Sequence, residues 1–446
     1  MSPKVTVIMP SLNVAKYITT CMDSVLSQTL QDLEILVVDA GSTDGTLEVL
    51  QEFAKKDKRI KIVHSEKRSY GYQLNLGIAM AEGEYVGVVE TDDLIVPEMF
   101  ERLYQEAAHS GADYVKGAAL LFLEVSPDLY WEGPIMRAFG EEDMYGKVLS
   151  PRNMPELFLK DLYLWTGIYR RDFIRQIKLN ETPGAAYQDA AFMFQSYMKA
   201  ERAVYLREVC YWYRQDNMGA SSYSTKAFSF FVQEYDYMEK FLQGAPEKWR
   251  EVYYKRMFYH CRRRFLVMGV SGEFWEDALS DIIELQSRLR SARQQGILNE
   301  QNLETDLREQ LLPFLENERA VYEMYAAQYK PKAENIHAML EKVADRDTII
   351  FGSGKRGRFL HMLMEYKRPG AVKAFCDNQE KLWGTAVQGM QVMAPEEANQ
   401  RYPKKVYLIA GKGYEAQMRE QLSQLGVEEE SMFTYTAGED KELFYI

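Results

Sequence analysis

From residue 1 to about 120 the chain alternates short apolar runs with amphipathic patterns: "VTVIMP", "AKYITTCMDSVLSQT", "LEILVVDA", "GTLEVLQEFAKKD", "IKIVH", "YQLNLGIAMAEG" and "EYVGVVETDD". A strand that is apolar at every position is covered on both faces, and helices between successive strands supply the cover. The pattern predicts a largely parallel α/β sheet. Ligands of such sheets bind beyond the carboxyl ends of the strands. Polar residues stand there: Pro10, Ser11 and Asn13 after the first run, Asp39 after the second, and Glu90, Asp92 and Asp93 after the fourth.

The last group puts three carboxylates within four positions. Like charges repel and each resists desolvation, so the ordinary fate of an acidic run is a solvated loop tip. Here Pro97 suits the first position of a helix, and Phe100, Leu103, Tyr104 and Ala107 follow helical spacing. The acids are therefore wedged between a strand end and a helix start. Such a cluster suits a hard cation, Mg²⁺ or Mn²⁺, which takes one or two protein carboxylates and completes its shell with phosphate oxygens and water. A nucleoside diphosphate fits that requirement, and Asp39 is an acceptor for an N–H on a base edge.

A length of 446 residues suggests two or three domains. The patterns change near 226 and 345, giving an expected division into 1–226, a helical region 227–345 and a small α/β domain 346–446. A net charge of −12, from 54 basic and 66 acidic residues, argues against a nucleic-acid polymer as partner. Four cysteines without a C-x-x-C pair indicate neither a disulfide framework nor a thiolate zinc site, which fits a reducing cytoplasm. No run approaches the ~18 apolar residues of a membrane span, and no basic region followed by an apolar core opens the chain. The stretch "YYKRMFYHCRRRFLVMG" mixes bases with aromatics. Such a helix either packs on one face or lies on the inner, anionic membrane surface, where a lipid-linked acceptor is found.

Three ordered motifs, "VTVIMPSLNVAKYITTCMDSVLSQT", "EILVVDAGSTDGTLEVL" and "GYQLNLGIAMAEGEYVGVVETDD", closely resemble the start of the family 2 glycosyltransferases, with their type A nucleotide-sugar-binding fold. The resemblance runs in register over about 120 residues and more loosely to about 225. It implies an inverting, metal-dependent transfer from a nucleotide-diphosphate sugar, by family habit a uridine diphosphate sugar, to a glycan or lipid-linked acceptor in cell-surface polysaccharide synthesis. Pro10, Ser11 and Asn13 match the turn by the nucleoside, and Asp39 the acid that contacts the base. Glu90-Thr91-Asp92 stands where the family carries D-x-D, so Asp92 would ligate the metal, with Asp93 following as usual. Three positions depart from the pattern: Glu90 for Asp, Ala40 for a frequent Asp, and Leu74 where many members have Arg.

An inverting transfer needs a base opposite the leaving group. In the resemblance that base is the aspartate of E-D-x-x-F, matched by Asp189 in "YQDAAF", with Gln188 in the preceding slot. An N-cap ahead of the apolar run is the competing role. Trp165 matches a position near the acceptor, where an aromatic face stacks on a sugar; a core role is the alternative. Arg214, in "YWYRQDN", has the shape for a diphosphate, against a salt-bridged loop role. Asp44 and Ser42 read as helix caps.

The C-terminal stretch "TIIFGSGKRGRFL" carries Gly352, Gly354 and Gly357 between a strand and a helix, with Asp377 at the next strand end. This resembles small Rossmann-like units of sugar-modifying proteins. It offers either a second nucleotide or NAD site or a turn kept for packing. Two further functions compete with transfer: a nicotinamide-dependent oxidoreductase, which lacks a Tyr-Lys or His constellation here because His361 stands alone, and a non-catalytic nucleotide-sugar-binding or scaffold protein.

Overall fold

A computed structural model describes residues 2–127, 129–160, 163–217, 219, 224–344, 346–402 and 404–446. The expected strands form where the continuous apolar runs lie: β1 (Val5–Ser11), β2 (Leu33–Asp39), β3 (Ile60–His64) and β4 (Tyr85–Val88). The intervening amphipathic segments are α1 (Ile18–Leu26), α2 (Thr46–Lys56) and α3 (Tyr70–Met80). β1, β2 and β4 are buried along their whole lengths, as strands covered on both faces must be. The first four pair in parallel in the order β3-β2-β1-β4.

Beyond β4 the sheet becomes mixed. β5 (Leu94–Ile95), α4 (Met99–Ser110), the long hairpin β6 (Tyr114–Ser126) and β7 (Leu129–Met136), and β8 (Gly167–Arg170) follow. α5 (Arg171–Ile174), α6 (Asp189–Lys199) and β9 (Ala203–Arg214) come next. The order continues β8-β6-β9-β5, with β8 antiparallel to both β4 and β6 and β7 on β6. The helix after the acidic run starts at Met99 rather than at Pro97, because the Met99 amide bonds the Val96 carbonyl and leaves Pro97 in the turn before it.

The helices α7 (Ala227–Glu239), α8 (Glu247–Ser271), α9 (Leu279–Gln294), α10 (Thr305–Glu316) and α11 (Ala320–Lys342) lead to a second sheet. Its elements are β10 (Asp347–Phe351), α12 (Lys355–Lys367), β11 (Val372–Cys376), β12 (Ala386–Val387), β13 (Met390–Met393), α13 (Pro395–Arg401), β14 (Lys405–Ile409), α14 (Glu415–Gln424) and β15 (Met432–Thr434). The order is β12-β13-β11-β10-β14-β15, parallel except for β12. The chain forms two units, each built from separate segments. One comprises Met1–Phe122, Gly133–Cys261 and Glu276–Glu318; the other Leu123–Glu132, Arg262–Trp275 and Arg319–Ile446.

The basic and aromatic stretch falls on α8, where Tyr253, Met257, Phe258 and Phe265 are buried, as are Lys255, Arg256 and Arg264. It is largely interior, which removes the compositional ground for a lipid-facing helix. Among the described residues no helix is long and apolar enough to cross a membrane.

Candidate active site

Parallel pairing brings the ends of β1, β2 and β4 side by side, with Ser11 opposite Asp39. Pro10 and Ser11 close β1 and Asp39 closes β2; all three lie on the same sheet edge. Asn13, just past β1, has φ 53°, a left-handed conformation that Asn tolerates better than most residues. Its Oδ1 accepts the Thr43 N–H at 2.8 Å, and its own N–H bonds Ser42 Oγ at 2.9 Å. Asp39 accepts the N–H groups of Gly41 and Ser42 at 2.9 and 3.0 Å and the Ser42 hydroxyl at 2.6 Å. Asp44 accepts from the Ala15 amide and from both the amide and hydroxyl of Thr46, the first residue of α2. The loops after β1 and β2 are thus stitched together by short polar side chains.

The three acids after β4 have different surroundings. Asp93 is fully buried, accepting the Tyr211 hydroxyl at 2.8 Å and the Arg214 N–H at 2.7 Å. Asp92 is half-buried and accepts the Asn217 amide at 2.7 Å. Burial pushes its carboxyl above the usual range. Glu90 is half-buried and accepts the Tyr70 hydroxyl at 2.5 Å. Burial, reinforced by Asp92 and Asp189, pushes its carboxyl up to about 8 against the opposing Tyr70 bond. The Glu90 N–H donates to Tyr211 Oη, so this one phenol bridges the Glu90 backbone and the Asp93 side chain.

Arg214 is 5% exposed and does not turn outward. Its Nε donates to the Asp92 carbonyl at 2.7 Å, its Nη1 pairs with Asp216, and its guanidinium lies over the rings of Tyr17 and Phe122. Trp165 is 4% exposed and sits in an aromatic stack, 4.3 Å from Tyr211 and 4.8 Å from Tyr213 by ring centroid. The turn carrying it is held by Lys116, buried on β6, whose Nζ donates to the Tyr163 carbonyl and the Thr166 hydroxyl. Burial pushes that ammonium well below its usual range.

Asp189 is the first residue of α6 and is half-buried. Burial raises its carboxyl, against the lowering influence of Arg256. Gln188, in the slot where the motif has Glu, accepts the Gly71 N–H at 2.7 Å and donates to the Thr182 carbonyl at 3.0 Å. It ties the start of α6 to the start of α3. The Asp189 charge is one of those that push up the Glu90 carboxyl and the Tyr70 phenol. Tyr70, Tyr211 and Lys116 are site residues that sequence reasoning missed, since nothing local marks them.

The residues fit a cation held by few protein ligands. Among the described residues no three His, Cys, Asp or Glu side chains gather as a metal group. Yet Asp92 is a carboxylate pushed up by burial whose side chain meets the neutral Asn217 amide, while Arg214 spends its donors on a carbonyl and on Asp216. Oxygen donors of this kind, one or two in number, are what Mg²⁺ or Mn²⁺ takes beside a diphosphate.

In the second unit Gly352 has φ 104°, and a Cβ on Gly357 would meet the Gly352 carbonyl oxygen at 1.8 Å. Both glycines are required by the turn itself; Gly354, before α12, has open space. Asp377 accepts the Ser353 N–H and hydroxyl at 2.8 and 2.7 Å and the Gln379 N–H at 3.0 Å. His361 bonds Gln388 at 3.0 Å.

Glycosyltransferase GlyG of Streptococcus pneumoniae is 28% identical over 218 residues, covering 48% of this chain and 72% of GlyG. The glycosyltransferase EpsJ of Bacillus subtilis, itself uncharacterised, is 32% identical over 224 residues, covering 48% of this chain and 62% of EpsJ. Crystal structures of S. aureus TarS 1-349, alone and in complex with UDP-GlcNAc, superpose with TM-score 0.50 at 18% and 20% identity. Each covers 74% of this chain and 91% of that one; at such identity the likeness speaks for the fold. Residues 6–175 match the model of glycosyl transferase family 2, and that stretch is a domain of this family.

Proposed function

We propose that the protein is a metal-dependent inverting glycosyltransferase that moves a sugar from a uridine diphosphate sugar to a hydroxyl of a cell-surface glycan. The observation that carries the reading is the end of β4, where Asp92 and Glu90 follow a strand that shares its edge with the Asp39 and Asn13 loops, and where Asp189 adds to the charge that pushes up the Glu90 carboxyl. The UDP-GlcNAc complex of TarS, a protein of the same fold, supports the donor class.

In this reading the Asn13 and Asp39 loops receive the nucleoside. Asp92 is the protein ligand of Mg²⁺ or Mn²⁺, and the bound ion would draw charge from the departing diphosphate. Asp189 takes the proton of the acceptor hydroxyl as that oxygen bonds the anomeric carbon. The bond from that carbon to the diphosphate breaks on the opposite face, and its electron pair leaves with the nucleotide. The buried Trp165 stack shapes the wall beside Tyr211, and Arg214 and Asp93 hold the end of β9 against the acidic turn. The C-terminal turn serves packing, since Asp377 closes on Ser353 and Gly357 on Gly352.

A thermal-shift panel of UDP-GlcNAc, UDP-glucose and GDP-mannose, with and without Mn²⁺, tests this reading. Stabilisation by a uridine donor only with metal is expected, followed by UDP release in the presence of an acceptor. Asp189→Asn should abolish release while donor binding stays intact. Retained turnover would remove Asp189 from the role of base.

A further inference from the structure

α7 contains a residue at odds with its own stripe. Phe228, Phe231, Tyr235 and Met238 are buried, and among them Glu234 is only 2% exposed. A buried carboxylate is costly unless its oxygens are bonded, and both of these are. One oxygen accepts the Ala191 N–H at 3.0 Å and the other the Asn180 amide at 3.2 Å. The Ala191 amide belongs to the first turn of α6, whose N–H groups have no partner within the helix. Gln188 precedes that turn, but its side chain is engaged with Gly71 and Thr182. Glu234 therefore caps α6 from another helix.

The chain just ahead of Asp189 is also constrained. Tyr187 has φ 65°, a left-handed conformation that is strained for an aromatic residue and persists only where its surroundings enforce it. Its ring packs on Phe231, one turn before Glu234, with centroids 4.5 Å apart. Asn180, the second partner of Glu234, accepts the amide and hydroxyl of Thr182 through its Oδ1.

We propose that Glu234 is the positioning residue for Asp189, fixing the first turn of α6 and with it the placement of the Asp189 carboxylate toward the end of β4. The proposal rests on Asp189 as the base. It has an electrostatic corollary: burial, reinforced by Asp189, pushes the Glu234 carboxyl up to about 8 against its bonds from Ala191 and Asn180, so Glu234 holds its proton at neutral pH. The titratable groups around Asp189 are Glu234 from α7, Arg256 from α8, Glu90 beyond β4, Tyr70 from α3 and Tyr213 from β9. Glu234 also raises the phenols of Tyr235 and Tyr237 on its own helix.

Full-length protein carrying Glu234→Gln, Glu234→Ala or Asp189→Asn tests it, with two readouts. The first needs no substrate: the ¹³C resonance of the Glu234 carboxyl, assigned by its loss in Glu234→Gln, is followed against pH. Asp189→Asn removes the neighbouring charge, so the Glu234 midpoint should fall by at least about half a pH unit. The second is UDP release from UDP-GlcNAc with Mn²⁺, where Glu234→Ala should lower kcat at least about tenfold with the donor KM within about twofold. An unchanged Glu234 midpoint in Asp189→Asn overturns the proposal. So does a wild-type kcat in Glu234→Ala, whatever happens to its melting temperature. Turnover surviving in Asp189→Asn strikes the base assignment itself, whereas a dead Asp189→Asn beside normal Glu234 variants strikes only the positioning role. If UDP-GlcNAc is not turned over, the midpoint alone decides.

Discussion

Asp92 and Asp93 are neighbours in sequence with unlike surroundings. Asp93 receives two donors from β9 inside the core, while Asp92 meets Asn217 at the sheet edge. Asp93→Ala would strand the Tyr211 hydroxyl and the Arg214 amide, at about 1–3 kcal/mol for each buried donor left unpaired. The expected result is a fall in the urea midpoint corresponding to about 3 kcal/mol. Asp92→Ala should move the midpoint by no more than about 1 kcal/mol, the net worth of one hydrogen bond, while abolishing Mn²⁺-dependent donor binding by calorimetry. Loss of stability in both, or in neither, would show that the two acids are not divided between fold and ligand. The acidic run itself was legible, because charge concentrated after an apolar run stands out. The division of labour within it was not, since both partners of Asp93 lie about 120 positions away. Glu234 did leave a trace: a carboxylate on the apolar stripe of a helical pattern needs a partner.

β2 owes its place in the sheet partly to Glu34. This buried carboxylate accepts the Thr6 hydroxyl of β1 at 2.6 Å and the Glu82 N–H before β4 at 2.9 Å, and it pairs with Lys61 of β3 at 2.6 Å. Burial pushes its carboxyl up, but Lys61, Thr6 and the Glu82 amide together outweigh this and leave it below the usual range. A carboxyl lowered on folding stabilises the native state above its unfolded pKa of about 4.3, and the benefit fades as pH falls through the lower folded value. Glu34→Gln should therefore cost about 1 kcal/mol at pH 7, discounted for the half-exposed Lys61. Its denaturation midpoint should converge on that of the wild type below about pH 4; a constant gap across the range would mean that charge is irrelevant to the bridge. The four parallel strands that Glu34 links were readable, because burial on both faces leaves continuous apolar runs. The β6–β7 hairpin lay hidden in the irregular stretch from 121 to 226, where β7 alternates between exposed and covered positions in a short and imperfect pattern.

The chain as a whole divides into two units whose segments interleave along the sequence. Local periodicity finds strands and helices but does not say which sheet a distant segment will join, so this interleaving was out of reach of pattern reading. The first unit holds every residue assigned above to transfer, and ligand linkage should reveal it. At 100 times its dissociation constant, a uridine donor with Mn²⁺ should stabilise the protein by about 2.7 kcal/mol. Differential scanning calorimetry should show no such gain with Mn²⁺ alone at the same concentration or in Asp92→Ala. A gain that survives Asp92→Ala would place the donor elsewhere.

Leu123 and Trp131, at the tip of the β6–β7 hairpin, belong to the apolar cluster of the second unit, where the Trp131 ring lies 6.2 Å from that of Phe444. During synthesis the tryptophan leaves the ribosome roughly 300 residues ahead of the phenylalanine, and at about 5–20 residues per second it waits tens of seconds for its partner. Over that interval a nascent chain displays a greasy hairpin tip with nothing of its own to cover it, a natural point of attachment for a holdase.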